Sequence, residues 1–235
     1  MRRRGSRLRT VVNTTPNTFI GGVASTISTK AALATKLAIA EISISYFGIV
    51  GSDIEAGILS NYDIPDFAFN GDLSITHYED PTGMVNLIKR GAFRSSKITK
   101  AIFPNAQFKE EVFREASLLN EINCDSATYF DSVTFFRCNA LVQISAPNLI
   151  SAFNAISGST SSGCFREMGG ITLIDMPKCT QIGRTNGDDG VFLLIKTGCV
   201  INVDSSLATS NSGAMDGDLE YAINSRGATV NFIVN

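Results

Sequence analysis

The chain has 235 residues, of which 44% are apolar and 18% are charged, and its formal net charge is −2. This composition excludes an intrinsically disordered chain, because it supplies enough apolar side chains to form a core. The longest apolar-rich stretch, residues 31–50, contains Lys36, Glu41 and two serines, which excludes a membrane-spanning helix there.

The N-terminal residues are strongly basic, whereas the rest of the chain is mildly acidic. Five arginines and no acidic residue lie within the first ten positions: Arg2, Arg3, Arg4, Arg7 and Arg9. We interpret residues 1–28 as a basic, extended arm that contributes to assembly. The arginines favour an acidic protein surface as partner, with nucleic acid less favoured and a solvated tail as the third alternative.

Two features bear on the compartment in which the chain folds. The segment after the arginines, VVNTTPNTFIGG, is interrupted by polar residues and proline, so it does not form the apolar region of a secretory signal. No Cys-x-x-Cys pair occurs, and the single histidine, His77, makes a Cys/His zinc site unexpected. We therefore expect buried, reduced thiols in a protein made in a reducing cytoplasm. The five cysteines are Cys124, Cys138, Cys164, Cys179 and Cys199.

Residues 29–65 predict a small α+β module for attachment and oligomerisation. Residues 29–40, TKAALATKLAIA, are good helix formers with Leu33 and Leu37 on one stripe. Residues 41–50, EISISYFGIV, alternate apolar and polar side chains, which is typical of a half-buried strand.

Residues 64–92 are interpreted as an imperfect repeat that caps the N-terminal end of a repeat domain. An anchor-like Phe69 precedes the apolar Leu73 and Ile75, and residues 80–83 predict a turn. The repeat domain with this cap is predicted to cover residues 66–209.

Between about residues 92 and 204 one pattern recurs five times. Each unit has a phenylalanine, three apolar positions and then a proline or aspartate, and three of the six prolines occupy that last position. Spacings of 20, 23, 29 and 27 residues between the phenylalanines predict a solenoid. The apolar run before each proline or aspartate predicts a short strand that ends in a turn. The five anchor residues are Phe93, Phe113, Phe136, Phe165 and Phe192.

Alternate residues of each predicted strand point away from the core. They form an outward face with some apolar content and no charge bias, which we interpret as a surface that binds a protein or a glycan; a merely solvated surface is the alternative. Its residues are Lys100, Ile102, Glu121, Asn123, Gln143, Ser145, Leu173, Asp175, Val200 and Asn202.

Residues 210–235 predict a C-terminal cap. Asp216 is placed to cap a short helix through Tyr221 and Ala222. Gly227 then predicts a turn into a final strand, residues 228–235, with Val230 and Phe232 on one side.

The repeats resemble BspA-like leucine-rich repeats. The units FFRCNALVQISAPNLISA and CFREMGGITLIDMPKCTQIG follow that family's pattern, and the departures are Gly198, Asp125 and Asp204. The resemblance covers about residues 92–204. It implies a curved scaffold used for adhesion and surface recognition in bacterial surface proteins and in proteins of their phages, and it implies no catalytic residues.

Enzyme motifs such as Gly-x-Ser-x-Gly, a P-loop or His-Glu-x-x-His are missing from the sequence. We therefore expect no catalytic, cofactor-binding or metal-binding residue and no cofactor. Asp188-Asp189 and Asp216-Gly217-Asp218 are interpreted as turn and cap residues rather than Ca²⁺ ligands. An enzyme with a site in the loops 157–163 or 184–190 is the rival interpretation.

The sequence thus predicts an α+β N-terminal module, a leucine-rich-repeat solenoid of about five repeats built from short strands with loops or short helices, and a C-terminal capping strand. We expect a non-enzymatic structural or recognition protein, a tail or capsid-associated part of a phage virion. Its partners are other virion proteins through the N-terminal region and a host-surface protein or glycan through the repeats, and we expect a homo-oligomer. The alternative is a bacterial cell-surface adhesin of the same repeat family.

Overall fold

The computed structural model of the protein describes residues 18–22, 30–39, 44–50, 53–58, 61–80, 83–152, 163–184 and 190–235. Short strands dominate these residues. Two α-helices are present among them, α1 at Lys30–Leu37 and α2 at Gly217–Arg226, and a 3-10 helix spans Ser205–Ala208. In chain order the strands are β1 Thr18–Gly22, β2 Ile44–Val50, β3 Asp53–Ile58, β4 Tyr62–Ile64, β5 Ile75–Glu79, β6 Val85–Ile88, β7 Lys100–Ile102, β8 Gln107–Phe108, β9 Glu121–Asn123, β10 Tyr129–Phe130, β11 Gln143–Ser145, β12 Ser151–Ala152, β13 Leu173–Asp175, β14 Gln181–Ile182, β15 Val200–Asp204 and β16 Thr229–Ile233.

Each repeat contributes two strands, and equivalent strands of successive repeats pair in parallel, except that β9 and β11 belong to different sheets. The first stack is divided between two sheets. One sheet contains β5, β7 and β9, and the other contains β11, β13, β15 and β16. The second stack runs β4, β6, β8, β10, β12 and β14. The solenoid prediction is confirmed, but the sequence indicated only one strand per repeat. Most strands of the second stack have two residues, which is too short for a period of two to be visible in the sequence.

The turns that follow the second stack form a third side of the solenoid. Backbone N–H groups of one turn donate to carbonyls of the next: Phe69 to Ala92 at 2.7 Å, Phe93 to Val112 at 2.9 Å and Phe113 to Thr134 at 2.9 Å. Successive coils are therefore joined by backbone hydrogen bonds on up to three sides, and the coils of β9 and β11 lack the strand pairing of the first stack. This arrangement satisfies buried backbone groups where the prediction placed loops or short helices.

A column of stacked phenylalanine rings fills the centre of the solenoid. Neighbouring rings are nearly parallel, with centroids 5.1 to 6.1 Å apart. Phe69 begins the column as predicted, but the anchor of the third repeat is Phe135 rather than Phe136. The two residues are adjacent, and the distance from the phenylalanine to the first apolar position is five or six residues in the other repeats, so the pattern fitted either one. In order, the column contains Phe69, Phe93, Phe113, Phe135, Phe165 and Phe192.

The three apolar positions of the pattern lie against this column. Nearly all of their side chains are buried, with Ile122 half-buried as the exception. At the departure Gly198, φ is +75° and the position is exposed, while the neighbouring Cys199 is buried. Of the two apolar residues that follow Phe69, Ile75 is buried, whereas Leu73 is 66% exposed. A turn whose Ser74 N–H donates to the Asp72 carboxylate directs Leu73 outward.

The N-terminal strands are antiparallel and continue the first stack. β1 pairs with β3 and also with β5, and β2 pairs with β3. The predicted helix is confirmed as α1, with Leu33 and Leu37 buried. Residues 1–17, which include the arginines of the arm, lie outside the described residues. The domain boundaries and the attachment role of residues 29–65 stay predictions.

The C-terminal helix and strand are also confirmed. The Asp216 side chain accepts a hydrogen bond from the Asp218 N–H at the start of α2, and Gly227 ends the helix with φ of 59°. β16 then pairs in parallel with β15. Val230 and Phe232 pack against the core, while Thr229 and Asn231 are exposed.

All five cysteines are free and buried, as predicted. Burial raises the pKa of Cys179 to about 12 and that of Cys199 to about 11. Burial also raises the pKa values of Cys124, Cys138 and Cys164. The thiolate is the nucleophilic form, so these side chains are inert near neutral pH.

The folded protein should therefore react with a disulfide reagent such as DTNB much more slowly than the unfolded chain, which should release five equivalents. A Ser117→Cys variant provides the control, because Ser117 is exposed and its replacement adds one accessible thiol. One rapidly reacting equivalent is expected for that variant. Native cysteines that react as fast as the added thiol would contradict the burial described above.

Candidate recognition face

The ten predicted outward residues lie side by side on the first stack, and we call them the recognition face. In β7 and β9, Lys100 is in register with Glu121, and Ile102 with Asn123. All ten side chains are exposed or half-buried, and the residues between them point into the core. The first column is Lys100, Glu121, Gln143, Leu173 and Val200, and the second is Ile102, Asn123, Ser145, Asp175 and Asn202. Their role in binding stays a prediction.

The recognition face is longer than the sequence indicated. His77 and Glu79 of β5 extend the two columns at one end, in register with Lys100 and Ile102. At the other end, β16 adds Thr229 and Asn231 in register with Val200 and Asn202. The alternation in residues 75–79, ITHYE, matches that of the later strands and could have been recognised in the sequence. Pro81 occupies the proline position of the pattern, but the third apolar position is filled by Asp80, so the stretch lies outside the five-fold pattern.

A break divides the recognition face into two halves. Among the described residues, no strand pairing joins β9 to β11, so one sheet ends at β9 and another begins at β11. A contact between the two coils persists at Cys124, whose thiol lies 3.4 Å from the Ser145 carbonyl oxygen.

The half before the break is charged. The Lys100 ammonium lies 2.8 Å from the Glu79 carboxylate and 3.2 Å from that of Glu121. The hydrogen bond to Glu79 is the main cause of a raised pKa for Lys100, opposed by desolvation and supported by Glu121. Two carboxylates share one ammonium here, so this half presents excess negative charge.

The half after the break carries a ladder of side-chain hydrogen bonds. The Asn202 amide donates to the Asp175 carboxylate at 2.7 Å, and the Asn231 amide donates to the Asn202 oxygen at 2.8 Å. Beside this ladder, Leu173 and Val200 form a half-buried apolar strip. The hydrogen bonds hold the polar column in one orientation, which reduces the side-chain entropy lost when a partner binds.

The turn side carries a second charged surface, but its charges satisfy one another. The buried carboxylate of Glu111 accepts from Arg90 at 3.0 Å and from Arg94 at 2.8 Å. The guanidinium groups of three further arginines lie 4.7 to 5.6 Å from the Phe136 ring. These three are Arg114, Arg137 and Arg166. Phe136, excluded from the central column, is thus held beneath arginines.

Sites for chemistry are not evident in the part of the chain that the structure describes. No group of three or more His, Cys, Asp or Glu side chains there is arranged to hold a metal ion. A groove of about 450 Å³ is lined mainly by charged side chains, among them Lys89, Lys109 and Asp131. Asp216 is the N-cap of α2, as interpreted from the sequence, and the Asp218 carboxylate accepts a hydrogen bond from the Val191 N–H at 2.8 Å.

Two expectations concern residues that lie wholly or largely outside the described part. Residues 153–162 and 185–189 cover most of the loops in which an enzyme site was the rival interpretation, and they include Asp188 and Asp189.

Among the described helices, none is long and apolar enough to cross a membrane.

Comparison with known proteins matches residues 56–164 to the family model described as "BspA type Leucine rich repeat region", in six copies. The match begins upstream of residue 92, where the sequence pattern was first evident, and it includes the coil that contains Phe69. No curated protein and no solved structure matches the chain significantly.

Proposed function

We propose that the chain is a non-enzymatic recognition protein that binds another protein through the recognition face. The match of residues 56–164 to the BspA-type leucine-rich repeat model supports this proposal. Repeats of this type suggest protein binding. The observation that carries the proposal is the register of β11, β13 and β15, which aligns an apolar strip beside an ordered polar column. Apolar side chains next to satisfied hydrogen-bonding groups are typical of protein interfaces.

The finer proposal is that the protein belongs to a phage virion, as a tail or capsid-associated component. The arginine arm supports it, since five cations within ten residues suit attachment to an acidic neighbour in an assembly. The buried, unpaired thiols support folding in a reducing cytoplasm before assembly. A bacterial cell-surface adhesin is the alternative.

Quantitative mass spectrometry of purified virions tests the finer proposal. The chain should be present in a fixed copy number. Changing all five arginines of the arm to glutamine should remove it from the particles, whereas changing them to lysine should preserve incorporation, because the charge is kept. This design leaves β1 intact, which matters because β1 pairs with β5.

The outcome that contradicts the virion proposal is equally concrete. If the chain were missing from particles and recovered instead on the outer surface of uninfected bacteria, the adhesin alternative would hold. Equal incorporation of the glutamine and lysine variants would show that the arm is not the attachment element.

A further inference from the structure

Among the residues that the structure describes, the last strand of the solenoid, β16, pairs with another strand on one side only. It is the terminal strand of the sheet β11-β13-β15-β16. Its sequence, TVNFI, contains no charged residue and no proline, and its pairing with β15 shows no bulge. Edge strands normally carry one of these protections against pairing with another chain.

The direction of the backbone groups in β16 follows from its pairing with β15. The Thr229 N–H donates to the Cys199 carbonyl oxygen at 2.9 Å. Backbone hydrogen-bonding groups alternate in direction along a strand, so the N–H and C=O groups of Asn231 and Ile233 also point towards β15. The N–H and C=O groups of Val230 and Phe232 therefore point to the open edge.

This edge is complementary to a second copy of itself. If two β16 strands lie antiparallel with a two-fold axis at Asn231, Val230 of each copy is opposite Phe232 of the other. Both residues have outward backbone groups, so each pair exchanges two hydrogen bonds. Their half-buried apolar side chains then meet across the axis, next to the cores of both copies.

The remaining positions of the strand fit the same register. On the exposed side, Asn231 lies opposite Asn231 of the second copy. Thr229 lies opposite Ile233 of the second copy, so no like charges meet. Val234 is 85% exposed and would lie opposite Ala228 of the second copy. A two-fold arrangement also closes on itself, whereas a head-to-tail contact between different edges would extend into a fibre.

We propose that the protein forms a homodimer through antiparallel pairing of the two β16 strands. The two four-stranded sheets then join into one continuous sheet. The dimer presents two recognition faces side by side. This pairing is separate from any oligomerisation by residues 29–65 and does not depend on the identity of the bound partner.

The test is the mass of the full chain in solution, measured by sedimentation equilibrium. The wild-type protein should have twice the monomer mass of 25.2 kDa. Asn231→Lys and Asn231→Glu should each raise the dimer dissociation constant at least about tenfold, because like charges meet at the axis. An equimolar mixture of the two variants should restore the dimer, since Lys then faces Glu.

Two further variants separate pairing from folding. Asn202→Lys places the same charge on the neighbouring interior strand and should leave the dimer intact. Val230→Pro removes an N–H that points to the open edge while retaining the hydrogen bonds to β15, and it should give folded monomers by circular dichroism. A monomeric wild type, or Asn231 variants that dimerise as well as the wild type, would overturn the proposal.

Discussion

Replacing Phe113 by alanine is expected to lower the free energy of unfolding by about 3–5 kcal/mol, the usual cost of truncating a buried phenylalanine. Phe113 is fully buried. Its ring stacks on Phe93 at 5.5 Å and on Phe135 at 5.7 Å between centroids. Each coil of a solenoid packs only against its neighbours, so a cavity at this ring weakens the contacts on both sides.

Chemical denaturation followed by circular dichroism measures this effect. Leu118→Ala is the control in the same repeat, because Leu118 is 43% exposed, and it should cost less than about 0.5 kcal/mol. Similar losses for the two variants would mean that the phenylalanine column is not the main stabilising element of the solenoid.

The sequence predicted the repeat and most of its core, but it misplaced one ring of the column. Phe135 and Phe136 are adjacent, and the first apolar position of this repeat, Leu141, follows them by six and five residues, both of which occur in the other repeats. The structure distinguishes them because Phe135 stacks between Phe113 and Phe165, whereas Phe136 packs under three arginines. Those arginines come from three different coils, and their convergence depends on how the coils are stacked.

The ten residues of the recognition face were predicted from the alternation of side chains alone. Its extension by β5 and β16 and the break between β9 and β11 were not predicted. The in-register placement of Leu173 beside Val200 required only that equivalent strands pair in parallel. The break between β9 and β11 depends on the relative position of two coils, which no local pattern encodes. The same is true of the parallel pairing of β16, since the sequence of a final strand does not specify its direction in the sheet.

The second large effect concerns binding. Leu173 lies in the centre of the half after the break, in register with Gln143 on one side and Val200 on the other. Burying a charge at the centre of an apolar strip is costly, because the carboxylate loses hydration without gaining a partner. We therefore expect Leu173→Glu to weaken binding of the partner at least about tenfold.

Leu194 offers a matched control for that substitution. It is 47% exposed and follows Phe192 in the turn side of the next coil, away from the recognition face. Both leucines lie on the surface, so neither substitution should lower the free energy of unfolding by more than about 1 kcal/mol. Thermal unfolding of both variants checks that folding is preserved before binding is compared.

The central measurement is the dissociation constant of the full chain for the protein that copurifies with it from virions or from the bacterial surface. Biolayer interferometry should give a constant at least about tenfold higher for Leu173→Glu and within about twofold of wild type for Leu194→Glu. Equal binding by wild type and Leu173→Glu, or a loss confined to Leu194→Glu, would contradict recognition through this face.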